Sequence, residues 1–127
     1  CGKVEAELSE TSDEDATEFL GSYGLHESGL TRLIKKTYEL LGLISFLTAG
    51  EDECRAWTIT RGMRAVEAAG TIHSDLEHHF IRAETIHWDS LLEAGSEAAA
   101  RQKGTLRLEG KDYIVKDGDV MHIRHSG

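Results

Sequence analysis

The sequence predicts an α+β fold, with helices over residues 1–42 followed by a small mixed sheet that carries a helix on one face. Three observations lead there. Apolar residues recur at helical spacing over 30–41, where Leu30, Leu33, Ile34, Thr37, Leu40 and Leu41 form one stripe. From residue 43 the chain changes to short β-branched and aromatic runs broken by glycine. Between those runs lie short helical stretches, giving the order β-β-α-β-α-β-β. Two opening strands, a crossing helix and further strands make a β-grasp sheet one candidate among several α+β folds.

Each element has a local reason. Residues 4–8 suit a short strand or a helix start equally. Thr11 or Ser12, followed by Asp13, Glu14 and Asp15, reads as a helix N-terminus, with the acids facing the positive end of the dipole. That helix should run to Leu20 and stop at Gly21. Ser28-Gly29 opens the amphipathic helix, whose polar side carries Lys35, Lys36 and Glu39, and Gly42 ends it. Strands are expected over 43–48, closed by Ala49-Gly50-Glu51-Asp52, and over 54–60. A helix over 64–69 ends at Gly70, and Ser74 caps a single turn through His79. A third strand covers 80–88, Asp89 or Ser90 caps 91–94, and alanine-rich 96–103 is helical. Short strands over 106–108 and 113–116 precede Asp117-Gly118, the strongest hairpin signal in the chain, and 120–124 returns as the last strand.

Composition narrows the function classes. A chain of 127 residues with 39% hydrophobic and 29% charged residues and no proline can build one small core and is not a disordered tract. The strongest apolar run, 40–47, is far short of the ~18 residues that cross a bilayer. Cys1 and Cys54 are too few for a disulfide framework, so reduced thiols and a cytoplasmic setting are expected. The abrupt start at Cys1-Gly2-Lys3, without methionine, reads as a fragment of a longer polypeptide. The net charge of −9 is uneven, since residues 1–29 hold eight acids against one lysine. Such a balance opposes indiscriminate nucleic-acid binding but leaves room for a local basic patch.

Three stretches resemble one family. Leu40-Leu41-Gly42-Leu43-Ile44-Ser45-Phe46-Leu47-Thr48-Ala49-Gly50 with Glu53-Cys54-Arg55-Ala56-Trp57-Thr58-Ile59 is similar to the helix end and first hairpin of the TGS domain in YchF-type, Obg-like nucleotide hydrolases. Ala68-Ala69-Gly70-Thr71-Ile72-His73-Ser74-Asp75 with Phe80-Ile81-Arg82-Ala83-Glu84 resembles that family's central motif. Gly95-Ser96-Glu97-Ala98-Ala99 and the run from Leu108 to His122 resemble its end. The resemblance implies a ubiquitin-like β-grasp TGS domain over 43–127 and, over 1–42, the tail of a nucleotide-binding domain with connecting helices. It also implies ATP or GTP with Mg²⁺ in the parent protein, and ribosome or RNA and the parent's own nucleotide-binding domain as partners. Cys1, Gly2 and Lys3 sit where the family has its purine-lining loop, and His73 and Asp75 sit in its central loop. Three departures stand out: no proline within 64–67, His78-His79 in place of a basic-glycine pair, and an ending, 122–127, without aromatic character.

The chain itself lacks the parts for phosphoryl transfer. It has no Gly-x-x-x-x-Gly-Lys-Ser/Thr loop to cradle phosphates and no Asp-x-x-Gly magnesium motif after an apolar strand. Seven histidines show no metal-ligand spacing, and adjacent His73, Ser74 and Asp75 diverge rather than converge as a triad must. Ser74 reads better as a helix cap, and Trp57 and Trp88 better as core than as a stacking platform. The basic residues are more informative. Arg55, Arg61 and Arg64 lie in a stretch without acids, and Arg101, Lys103 and Arg107 open a second positive stretch. Brought together by the sheet, they would face phosphate. The expectation is a contact module that binds ribosome or RNA, or alternatively one that regulates its own ATPase domain without RNA, with no catalytic residue in either case.

Overall fold

The computed structural model describes residues 1–50 and 53–126. They form two units, Cys1–Leu41 and Gly42–Gly127. Glu51 and Asp52, which the sequence assigns to the turn after the first strand, lie outside the described residues.

The first unit holds α1 (Gly2–Ser9), α2 (Asp13–Ser22) and α3 (Gly29–Leu41). Residues 4–8, undecided from sequence, are thus helical. Ser12 caps α2, its Oγ accepting from the Asp15 N–H at 3.3 Å. Gly21 does not stop α2, because the left-handed turn falls instead at Gly24, with φ of 67°. The Gly29 N–H at the start of α3 donates to Glu5 Oε1 of α1 at 2.9 Å. Leu8 and Leu20 are buried here, whereas α3 buries no residue. Leu30, Leu33, Ile34, Leu40 and Leu41 all remain more than half exposed on the stripe that the periodicity defines.

The second unit is a five-stranded sheet in the order β2-β1-β5-β3-β4. Its strands are β1 (Leu43–Ala49), β2 (Cys54–Thr60), β3 (Phe80–His87), β4 (Arg107–Glu109) and β5 (Asp119–His125). All neighbours are antiparallel except β1 and β5, which are parallel and register at Leu47 and Val120. Strand alternation sends Ile44, Phe46, Ile59, Ala83, Met121 and Ile123 to one face. There they pack against Ala65, Ala68 and Ala69 of α4 (Ala65–Ile72). Small residues on the helix let it approach the sheet closely, so Phe46 is fully buried. A shift in pairing between Phe80 and Arg82 keeps both Phe80 and Ala83 in this core, although they stand three apart in sequence. On the opposite face α6 (Trp88–Ala94) and α7 (Glu97–Lys103) cover one end, where Ala100, Leu91 and Ala94 meet Ile86, Val120 and Leu47.

Several sequence expectations give way to longer-range structure. Gly70 does not end α4, which continues to Ile72; the absent side chain makes room for Glu77, since a Cβ there would lie 2.5 Å from Glu77 Oε2. α5 (Ser74–His78) is capped by His73, whose Nδ1 accepts from the Asp75 N–H at 3.2 Å, so Ser74 is its first residue rather than its cap. Trp88 begins α6 instead of ending β3, with His87 as the N-cap residue. Residues 113–116 form no strand, only a bridge from Ile114 to Arg64. Asp117-Gly118 is therefore not a hairpin. Asp117 Oδ1 accepts from the Ser45 N–H and the Gly118 N–H donates to the Ser45 carbonyl, both at 2.8 Å, which pins the loop across to β1. Gly118 is required twice over. Its φ is 82°, and a Cβ would fall 2.7 Å from His87 Nε2 and from Trp88 Cδ1.

Candidate nucleic-acid interface

The six basic residues singled out from the sequence do not gather at one place. Register sets Arg55 on β2 and Arg107 on β4, the two outer strands, so about 19 Å of sheet separates them. Arg55 lies over the Trp57 ring, 4.3 Å from its centre. Trp57 packs on the core edge and donates its indole N–H to Thr48 Oγ1 at 3.0 Å. Arg61 is exposed in the turn after β2, and Arg64 ends that turn with its guanidinium between Glu67 at 3.2 Å and Asp112 at 3.3 Å. Both acids hold the Arg64 pKa above its ordinary value, Glu67 first. Lys103 is exposed at the end of α7.

Arg107 takes part in a network around Asp119, one of the two buried polar side chains of the sheet. Asp119 Oδ2 accepts from the Tyr113 hydroxyl at 2.7 Å and from the Lys116 N–H at 2.9 Å. Arg107 stands 3.6 Å from Asp119 Oδ1 and donates to the Tyr113 oxygen at 3.2 Å. Burial, then the bond to Asp119, raises the Tyr113 pKa. The network fixes the loop that precedes β5, and so reads as architecture rather than as a ligand site.

Arg101 belongs to a different group, which sequence reasoning missed apart from this one residue. On the sheet face opposite α4, Glu84 of β3 receives Arg101 Nη2 of α7 on Oε1 and Arg124 Nη2 of β5 on Oε2, both at 3.0 Å. Arg82 is two residues back on the same face and directly opposite Arg124; His122 is directly opposite Glu84. Two arginines thus pair with one carboxylate, and a third, Arg82, stands beside them on the same face. The signal was present only as alternation on two strands distant in sequence, and pairing alone brings them together.

His73 and Asp75 are exposed and serve each other and the turn of α5, with His73 Nδ1 3.5 Å from Asp75 Oδ2. His78 and His79 bond their rings to the Ser74 and Asp75 carbonyls. Cys1, Gly2 and Lys3 are exposed at the start of α1. Among the described residues no three His, Cys, Asp or Glu side chains converge as a metal-ligand set. The sequence carries no Gly-x-x-x-x-Gly-Lys-Ser/Thr phosphate loop. Nor is any helix among the described residues long and apolar enough to cross a membrane.

The second unit is thus a small mixed sheet with α4 and α5 against one face and α6 and α7 over one end of the other. Residues 43–126 match the YchF-GTPase C-terminal family, described as a "protein of unknown function (DUF933)", and the chain belongs to that family. The ribosome-binding ATPase YchF of Bacillus subtilis is 53% identical over 124 residues, 98% of this chain and 34% of its own length. Obg-like ATPase 1 of Gallus gallus is 42% identical over 97% of this chain and 31% of its own. The solved YchF GTPase of Schizosaccharomyces pombe superposes with a TM-score of 0.81 at 36% identity, covering 93% of this chain and 31% of that one. The chain spans about a third of the length of the curated relatives it matches, corresponding to their C-terminal region.

Proposed function

We propose that this chain is the TGS module of a YchF-type, ribosome-associated ATPase or GTPase, and that it docks the longer protein on the ribosome through RNA phosphate. The carrying observation is the match of almost the whole chain to a third of relatives named ribosome-binding ATPases, in a sequence without a phosphate loop. In this reading the nucleotide and Mg²⁺ are held by the remaining two thirds of the longer protein, in the cytoplasm. Residues 1–42 are the tail of that nucleotide-binding part, and Cys1, Gly2 and Lys3 contribute to the loop beside the purine. Residues 43–127 are the β-grasp domain, a reading supported by the strand order β2-β1-β5-β3-β4, the parallel β1–β5 pair and the packing of α4 against one face.

Arg55, Arg61, Arg64, Arg101, Lys103 and Arg107 are the sequence's candidates for contacts, distributed over more than one surface. Arg61 and Lys103 are exposed and suit phosphate positioning without base readout. His73 and Asp75 shape the central loop. The test is co-sedimentation of the longer protein with ribosomes across a salt series, with and without residues 43–127. Loss of salt-sensitive binding on deletion is expected, and unchanged binding would remove the proposal. A second reading, regulation of the attached ATPase without RNA, is favoured by the open apolar stripe of α3, which suits a protein neighbour. It predicts that deletion changes ATP turnover in the absence of ribosomes.

A further inference from the structure

We infer that Arg82, Arg101 and Arg124 form a seat for the phosphodiester backbone of RNA, organised by Glu84. The inference rests on the docking reading above and deepens it by naming the face and residues that carry it. Arg82 and Arg124 are directly opposite each other on adjacent antiparallel strands. Like charges at that spacing repel, and a sheet gains nothing by opposing them. Glu84 relieves only part of the repulsion. Its side chain is 12% exposed, and its two oxygens are spent on Arg101 and Arg124. Arg82 has no acidic partner among the described residues and is exposed.

The geometry suits an anion with spaced oxygens. Each guanidinium offers five N–H donors, and Glu84 takes one nitrogen from each of two arginines, leaving the rest of each fork open. Those two side chains stay about half exposed, 57% for Arg101 and 48% for Arg124. Holding them on one carboxylate removes part of the rotamer entropy that binding would otherwise cost. Arg82 and Glu84 are two residues apart, about 6.6 Å along the strand. Arg82 and Arg124, as cross-strand partners, start about 4.5–5.5 Å apart at their Cβ atoms, and their long side chains let two guanidinium groups reach separate phosphate oxygens of one strand. With His122 neutral the group carries three positive charges and one negative. An acidic protein surface would satisfy the same charges, so the probes must separate a phosphodiester from a carboxylate.

The test uses the 127-residue chain, a fluorescein-labelled RNA hairpin, and salt from about 50 to 300 mM, with polyglutamate of matched charge as competitor. Wild type should bind the hairpin with a steep salt dependence. Arg82→Gln should weaken binding about tenfold at about 50 mM salt and about twofold at about 300 mM, lowering the log–log slope by about one. Arg124→Gln should do the same, and Lys111→Gln, an equal charge change outside the seat, should leave binding unaltered. Arg82 makes no ion pair among the described residues, so its variant should keep the wild-type melting temperature even where Arg124→Gln does not. RNA binding that persists unchanged in Arg82→Gln would overturn the seat and leave the docking reading standing. Failure of the longer protein to bind ribosomes would overturn both. Polyglutamate displacing the hairpin as effectively as unlabelled RNA would overturn the phosphodiester assignment in favour of an acidic protein partner.

Discussion

Replacing Asp119 is the most direct test of how the sheet is closed. Its carboxylate is 1% exposed, and one oxygen, Oδ2, accepts both the Tyr113 hydroxyl and the Lys116 N–H. Hydrogen bonds to a charged acceptor contribute about 1.5–3 kcal/mol each, and removing one member of a buried polar pair costs about 3–5 kcal/mol. Asp119→Ala deletes both bonds and leaves Arg107, 3.6 Å from the other oxygen, without its acid there. A loss of about 3–5 kcal/mol follows, which for a domain of this size lowers the melting temperature by about 12 °C or more. Asp119→Asn should cost only about 1–2 kcal/mol, because an amide oxygen at the Oδ2 position keeps both bonds and surrenders only the charge. Urea unfolding followed by Trp fluorescence gives both values, with the slope m checked for constancy. If alanine and asparagine cost the same, or alanine costs under about 1 kcal/mol, the carboxylate does not hold the loop and the reasoning fails.

Three other substitutions follow from the same structure. Gly118→Ala should destabilise by about 2 kcal/mol or more in urea unfolding, since it combines a left-handed backbone with contact against His87 and Trp88. Thr85→Val should stabilise by about 1 kcal/mol, because the Thr85 hydroxyl is buried and has no hydrogen-bond partner among the described residues. His87 should titrate above its ordinary value of 6.5, chiefly through its bond to Asp89 at 2.6 Å, and Asp89→Asn should move the NMR midpoint down. A raised histidine pKa stabilises the folded state below pH 6.5, and that contribution disappears as pH rises through the folded value. Asp89 is depressed below 3.8 by the same bond, so its share is present above that pH and lost as pH falls.

Elements defined by neighbouring residues were legible. Thr11 or Ser12 before three acids announced α2, the alanine-rich run 96–103 announced α7, the change of texture at Gly42 separated helices from sheet, and β2 falls on the expected residues 54–60. What failed was set by distant partners. Gly70 looks like a helix stop until Glu77 folds back over it, and Asp117-Gly118 looks like a hairpin until Ser45, far upstream, takes its hydrogen bonds. The interface behaved likewise. Clusters along the sequence, Arg55 to Arg64 and Arg101 to Arg107, were dispersed by the strand order. Arg82 and Arg124 were unremarkable until β3 and β5 paired.

The middle of the sheet is the strand made last. β5 joins the β1–β2 pair to the β3–β4 pair, so until residues 119–125 have left the synthesis machinery the chain holds two separate half-sheets, each with an open inner edge. Closure waits on contacts more than seventy residues apart, such as Leu47 with Val120, which makes folding slow for so small a domain. A nonsense mutation between Glu109 and Asp119 would leave no partial domain to work with: it would leave one truncated chain bearing two unjoined, adhesive half-sheets, fit for degradation rather than for service.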